Sequence, residues 1–469
     1  MADRHDDIDD WLGERINPLP PPPGTFELIK RRARRRKYRK LAFTATAAAA
    51  LVAAAVTVPQ VVNLPVLSPN PKSSVAAGQS SAPTPTGVGH AQSSSSGHPT
   101  SPSPPAAAPV PANFRPTSVT FIGTRTGWVI GQALSPGHCA TQYCTSVART
   151  SNAGKTWTGV PAPLTGAADG ATGVSQLRFL NASDGWAYGP GLFVTHTGGQ
   201  SWAPADTHGL RVTDLETVGS RAFALFASCT GGGTAFAARC TSFTLYSSPA
   251  SHEAWTPVGA ATTGLTGGTA AEAASLVLTG RRGYLLAPGG TLYAGPVDGS
   301  GAWQRVGSLP SSCTVGPTQP DGQPTGALLA AIPSGDLILA CASGSSGGNP
   351  AVSRQQKLIY SSPNGGVSWL QVARAPNAGV AFSLAASPSG TVVLGTDQGI
   401  DLLPAGDTTW QTATLAGGGG GGGPAGGFGY VGMTTSDQGI ALPANPSAGT
   451  VWFTFDHGRN WQPSPLNGS

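Results

Sequence analysis

Glutamate nearly vanishes from the larger part of this chain: after residue 113 only Glu216, Glu253 and Glu272 occur. Charged residues are 10% of the whole, and there are just 2 methionines. Amphipathic helices need a charged face opposite the apolar one, so this poverty argues against a helical bundle. With 66 glycines and 42 prolines, it also argues against an enzyme of average make-up. No Cys-x-x-Cys and no clustered histidine is present, so no metal site is expected. Ser-His-Asp chemistry finds no nucleophile elbow, and no Gly-Lys-Ser/Thr follows the glycine run Gly417 to Gly423, which reads as a connector. No cofactor is expected.

The formal charge of +5 is unevenly placed. Residues 1–40 hold 11 basic and 7 acidic side chains, Lys72 adds one positive charge, and residues 114–469 hold 15 of each sign. A basic footprint for nucleic acid is therefore missing from the bulk of the protein. The basic run RRARRRKYRK leads directly into LAFTATAAAALVAAAVTV, Leu41 to Val58. Eighteen uncharged residues at about 1.5 Å each span about 27 Å, close to a bilayer's hydrocarbon core. Residues 41–58 are expected to form one transmembrane helix, with residues 1–40 held in the cytoplasm by their positive charge. A cleaved signal peptide is the alternative. Residues 25–40 suit anionic lipid or a cytoplasmic partner. Residues 59–113, rich in Ser, Pro and Ala, are expected to be a disordered linker. Its stretch Ser68 to Ala112 can reach about 140 Å at about 3.1 Å per residue.

Beyond the linker one pattern recurs. TSNAGKTW ends at Trp157, THTGGQSW at Trp202, SPNGGVSW at Trp369 and TFDHGRNW at Trp461. Looser copies, SPASHEAW, PVDGSGAW and LPAGDTTW, end at Trp255, Trp303 and Trp410. Successive tryptophans are 45, 53, 48, 66, 41 and 51 residues apart, a spacing typical of propeller blades. Upstream of each lies a strand, a polar turn and a second, more apolar strand, as in SVTFIGTRTGWVIGQ and QLRFLNASDGWAYGP. A third strand runs into the polar turn and a fourth starts at the tryptophan. Residues 114–469 are thus expected to form an all-β, seven-bladed β-propeller of four-stranded blades.

The four tight copies resemble Asp-boxes, or BNR repeats. Their alternation with F-x-x-x-x-x-GW hairpins is similar to the photosystem II stability and assembly factor group, within the wider sialidase and sortilin propeller set. The resemblance implies that the boxes sit in the turns between third and fourth strands, away from a ligand site, with a structural role. Asn152, Asn364 and Asp456 can accept backbone N–H groups of their own turns. Gly154, Gly199, Gly366 and Gly458 supply positive φ. Thr150, Thr195, Ser362 and Thr454 open the boxes, while Trp157, Trp202, Trp369 and Trp461 close them by packing between blades. Phe114-Arg115-Pro116 only partly matches the Phe-Arg-x-Pro start of sialidases, lacking the spacer. Glycoside hydrolysis needs two acids across one bond. Asp169, Asp321 and Asp397 are acids that could meet at the channel mouth.

Six cysteines allow 15 pairings and suit an oxidising compartment. The blade register selects Cys139–Cys144, Cys229–Cys240 and Cys313–Cys341, all on one face of the propeller. The loops between second and third strands are long in blades one, three and five and short in two, four and six. Long loops pinned by bridges are pre-organised for binding. This stapled face carries His138, Tyr143, Arg239 and Arg354 as ligand-face candidates. The alanine, glycine and proline bias resembles that of high-GC actinobacteria. The expected protein is a single-pass cell-membrane protein presenting a non-catalytic propeller outside, as a binding or assembly module for a protein or cell-envelope glycan. The alternatives are a sialidase-like glycoside hydrolase and a transmembrane sensor with a cytoplasmic basic arm.

Overall fold

The computed structural model describes residues 108–134, 139, 143–165, 173–230, 239–266, 274–313, 327–342, 357–376, 380–416 and 423–466. The expected cytoplasmic segment, transmembrane helix and most of the linker lie outside them, as do His138, Arg354, Asp169, Asp321 and Glu272. No helix among the described residues is long and apolar enough to cross a membrane.

Seven antiparallel meanders form the blades of a β-propeller, each with its first strand innermost. Blade one runs from Arg115–Phe121 to Thr158–Val160, blade two from Gln176–Phe179 to Ala203–Pro204, and blade three from Arg211–Val218 to Thr256–Pro257. Blade four runs from Ser275–Leu278 to Gln304–Ser308, blade five from Leu328–Ala331 to Leu370–Ala375, and blade six from Ala381–Ala386 to Gln411–Thr412. Blade seven runs from Phe428–Met433 to Asn460–Pro465. Every hairpin expected from the sequence is present. The fourth strand begins just after the tryptophan in six blades and takes in Trp461 in the seventh.

The meander dictates two unlike ends. Turns between first and second strands, and between third and fourth, fall on one end, the turn face. Loops between second and third strands, and connections between blades, fall on the other, the loop face. Three short additions lie beyond the repeat. Leu265–Thr266 pairs with the third strand of blade three, and Thr414–Leu415 lies parallel to the outer strand of blade seven. Ala108 bridges Gly159 at the outer edge of blade one, and Leu134 N–H donates to Ala112 carbonyl. The chain therefore packs on the propeller from residue 108, six residues before the expected boundary, because an outer strand leaves backbone groups unpaired.

Burial divides by blade interface. Trp157 packs into the core shared by blades seven and one, Trp202 into that of one and two, and Trp255 into that of two and three. Trp303, Trp369, Trp410 and Trp461 do the same for the four remaining interfaces in turn. Each tryptophan turn thus fastens its blade to the preceding one. The hairpin glycines have a packing reason as well. Phe121 pairs with Gly127, and a Cβ there would stand 2.4 Å from the Phe121 ring. Gly185 bears the same relation to Phe179, at 2.6 Å.

Among the described residues no strand is exchanged at the seam between blades seven and one; each blade comes from one stretch of chain. Side chains close the ring: Phe121 meets Phe453 edge-on at 5.6 Å, and Gln438 Nε2 donates to Thr124 carbonyl at 3.0 Å.

Candidate functional site

The turn face carries the four tight repeats, which share one hydrogen-bond plan. The opening hydroxyl is its hub, buried in all four: Thr150, Thr195, Ser362 and Thr454. Each accepts the N–H of the glycine four residues on, at 3.0, 3.0, 2.7 and 3.1 Å. The third residue then accepts the N–H four residues beyond itself. Asn152 takes that of Thr156, Thr197 that of Ser201, Asn364 that of Ser368 and Asp456 that of Asn460. Gly154, Gly199, Gly366 and Gly458 have φ of 77°, 90°, 91° and 89°. At Gly366 space is equally decisive, since a Cβ would lie 2.0 Å from Leu292 Cδ2 of the preceding blade.

Three of the tryptophans bond across the blade interface. Trp157 Nε1 donates to Ser464 Oγ of blade seven at 3.0 Å, Trp202 Nε1 to Pro161 carbonyl at 3.0 Å and Trp369 Nε1 to Ser308 carbonyl at 3.2 Å. Glu253 serves two indoles, accepting from Trp186 of blade two at 3.1 Å and from Trp255 at 2.6 Å. It is thus an interblade clamp.

The loop face carries the bridges Cys139–Cys144, Cys229–Cys240 and Cys313–Cys341. Cys144, Cys229, Cys240 and Cys341 sit at the loop-face ends of second or third strands in blades one, three and five, Cys139 in the loop before the third strand of blade one, and Cys313 in the connection entering blade five. Beside the first bridge is a cavity of about 290 Å³, walled by Cys139, Cys144, Ser146, Pro161, Pro163 and Leu164 among others. No ionisable group stands among its described lining residues. Leu164 is 89% exposed at its edge. Of the sequence-selected residues, Tyr143 opens the third strand of blade one, where Arg115 Nη2 donates to its hydroxyl at 3.0 Å. Arg239 opens the third strand of blade three. Phe114 is buried in the seam between blades seven and one, so the Phe-Arg-Pro start serves packing.

The channel mouth at the turn face holds what the sequence reading missed. Inner strands of blades seven, one, two and three enclose a cavity of about 250 Å³. Across it Arg178 of blade two pairs with Glu216 of blade three, donating from Nε at 3.0 Å and Nη2 at 2.8 Å, both to Oε1. Arg178 Nη1 donates to Leu177 carbonyl at 3.1 Å. Burial is the largest single influence and disfavours the guanidinium charge, but the attraction and hydrogen bonding of Glu216, together with Tyr188 and Tyr430, outweigh it and hold the pKa well above its usual value. Tyr430 of blade seven adds a phenol whose pKa burial pushes up. Gly432 leaves room for it, since a Cβ there would stand 2.6 Å from the Tyr430 hydroxyl.

Asp214, two residues before Glu216, does not line this cavity. Its oxygens accept the N–H groups of Leu215 and of Leu276 in blade four, each at 2.9 Å. Burial, with the Glu216 charge beside it, pushes its carboxyl up to about 7. Glu216 is therefore the one carboxylate on the wall of the channel-mouth cavity among the described residues. Asp397 instead accepts Val380 N–H at 2.7 Å and fixes a loop of blade six. Among the described residues no group of three or more His, Cys, Asp or Glu side chains could hold a metal.

The fold defines the class, a seven-bladed β-propeller. No protein-family model matches the chain. No curated protein matches it. Among solved structures it is similar to YCF48 from Cyanidioschyzon merolae, at 13% identity and a TM-score of 0.42, covering 66% of this chain and 88% of that one. It is similar also to YCF48 bound to D1 peptide, at 14% identity and a TM-score of 0.41, covering 63% and 81%. An ancestral GH74 enzyme matches at 14% identity and a TM-score of 0.45 over 77% of this chain, which spans 47% of the enzyme.

Proposed function

We propose that this protein is a membrane-anchored, non-catalytic binding or assembly module, whose Asp-box propeller stands outside the cell on a linker and meets its partner with the loop face. The observation that carries the reading is the Cys139–Cys144 cavity. It is bordered by a covalent staple, edged by an exposed leucine and, among its described lining residues, lined without an acid or a base. Such a surface can bury apolar area at low ordering cost, and none of its described lining residues carries a group suited to moving a proton. Its chemistry suits a protein segment or the apolar face of an envelope glycan. A glycoside hydrolase would need paired carboxylates, and among the described residues Glu216 is the one carboxylate on the channel-mouth wall, tied to Arg178. The anchoring rests on the uncharged run 41–58 after ten mostly basic residues.

A photo-crosslinking residue at Leu164 on the loop face, in the full chain expressed in native envelopes, tests this. Val367, 64% exposed on the turn face, is the comparison. The expected result is a discrete adduct from Leu164 and none from Val367, in a fraction that alkaline extraction leaves in the membrane unless residues 41–58 are deleted. Equal labelling from both positions would remove the loop-face assignment.

A further inference from the structure

We infer that the turn-side channel mouth is a second binding site, built for an uncharged, hydroxyl-rich ligand of about one sugar ring. The site is separate from the loop-face cavity and does not depend on the role given to that face.

The charge balance of the cavity sets the ligand class. Arg178 and Glu216 cancel, and their side chains are 18% and 28% exposed, so both reach the cavity. A ligand with net charge would have to shed its hydration beside a pair that is already neutral, with no countercharge left to offset the loss. Polar capacity nonetheless remains. Arg178 uses three of its five N–H donors on Glu216 and Leu177. Both bonds to Glu216 end on Oε1, leaving Oε2 without a hydrogen-bond partner among the described residues. The Tyr430 hydroxyl likewise makes no hydrogen bond to a described residue, although it shares the electrostatic surroundings of Arg178 and Glu216.

A carboxylate oxygen that accepts, beside guanidinium N–H groups that donate, matches two neighbouring hydroxyls, one giving its proton and the other taking one. The apolar part of the lining, with Phe121, Phe179 and Met433, suits the C–H face of a ring. The volume of about 250 Å³ lies below the roughly 300–1,000 Å³ of pockets for drug-sized ligands, which limits the occupant to about one ring.

The test uses the full chain with glucose and N-acetylglucosamine as neutral probes, and glucuronate and glucosamine as charged counterparts, read by saturation-transfer NMR with titration. At least one neutral probe should saturate below about 10 mM, with each charged counterpart about tenfold weaker. Glu216→Gln should weaken the neutral probe about tenfold by removing a charged acceptor. Tyr430→Phe, which deletes one oxygen and keeps the ring, should weaken it severalfold and carries the test if Glu216→Gln does not fold. Val367→Glu, exposed on the turn face and outside both cavity linings, should change nothing. The inference is overturned if no neutral probe saturates, if a charged counterpart binds more tightly, or if binding survives both channel substitutions unchanged.

Discussion

The indole N–H of Trp157 donates to the hydroxyl of Ser464 at 3.0 Å, joining positions 307 residues apart across the seam between the first and last blades. Ser464 Oγ in turn donates to the Gly154 carbonyl of the same turn. Among the described residues no strand is exchanged at this seam, and such contacts, with the core beneath them, join the two blades.

Trp157→Phe should therefore cost about 1 kcal/mol, the net worth of one hydrogen bond, and Trp157→Ala about 3 kcal/mol or more. Trp410 supplies the contrast, because its buried indole N–H has no partner among the described residues. Trp410→Phe removes an unsatisfied donor and should be neutral or slightly stabilising. Thermal midpoints of the two Phe variants, side by side, check the difference.

Ser362→Ala deletes the hub of the turn in blade five and strands the Gly366 N–H, which is bonded to Ser362 Oγ at 2.7 Å. The expected loss is about 1–3 kcal/mol. Ser362→Thr restores the residue type found at the other three hubs and should recover most of it. A denaturant titration in which Ser362→Ala matches the unaltered protein would contradict the hub assignment.

Two carboxylates should oppose each other in pH dependence. Desolvation raises the pKa of Asp456, but hydrogen bonds from Asn460 and Thr454 outweigh it and the net shift is downward. Its contribution to stability is present above the unfolded value of about 3.9 and is lost as pH falls through the lower folded value. Asp214 is raised to about 7, so its protonated form favours the fold. That contribution is full below about 4 and is lost as pH rises through 7. Midpoints measured from pH 4 to 8 should decline less steeply in Asp214→Asn than in the unaltered chain.

The three bridges should appear in non-reducing peptide mapping as 139–144, 229–240 and 313–341, with no crossed pair. Replacing Cys313 and Cys341 by alanine opens a closure spanning 28 residues, worth roughly 3–4 kcal/mol on the chain-entropy account. The thermal midpoint of that double variant should fall, while the short closure at 139–144 should cost less.

The propeller was legible because two features recur with it. A strand, a polar turn and an apolar strand mark all seven hairpins, with phenylalanine opposite glycine in blades one and two, and an indole marks the turn that fastens each blade to its neighbour. The bridges followed from the register those features set. The opening hydroxyls are visible in the sequence as motif letters, but their role as hubs rests on the folded turn that brings the N–H groups of Gly154, Gly199, Gly366 and Gly458 to them. The channel-mouth site has no mark in the sequence. Arg178 and Glu216 hold the same third place in QLRFLN and DLETVG, yet an ion pair between inner strands is visible only when the blades are set side by side. Leu265–Thr266 and Thr414–Leu415 are two residues each, too short to show any alternation.

The central claim, binding without catalysis, is tested most directly by incubating the oxidised full chain with cell-envelope glycans and reading both retention and mass. The account predicts that any glycan retained is recovered at its original mass. A shortened product, lost on neutralising Glu216 or Asp214, would contradict it and make the channel a hydrolytic site.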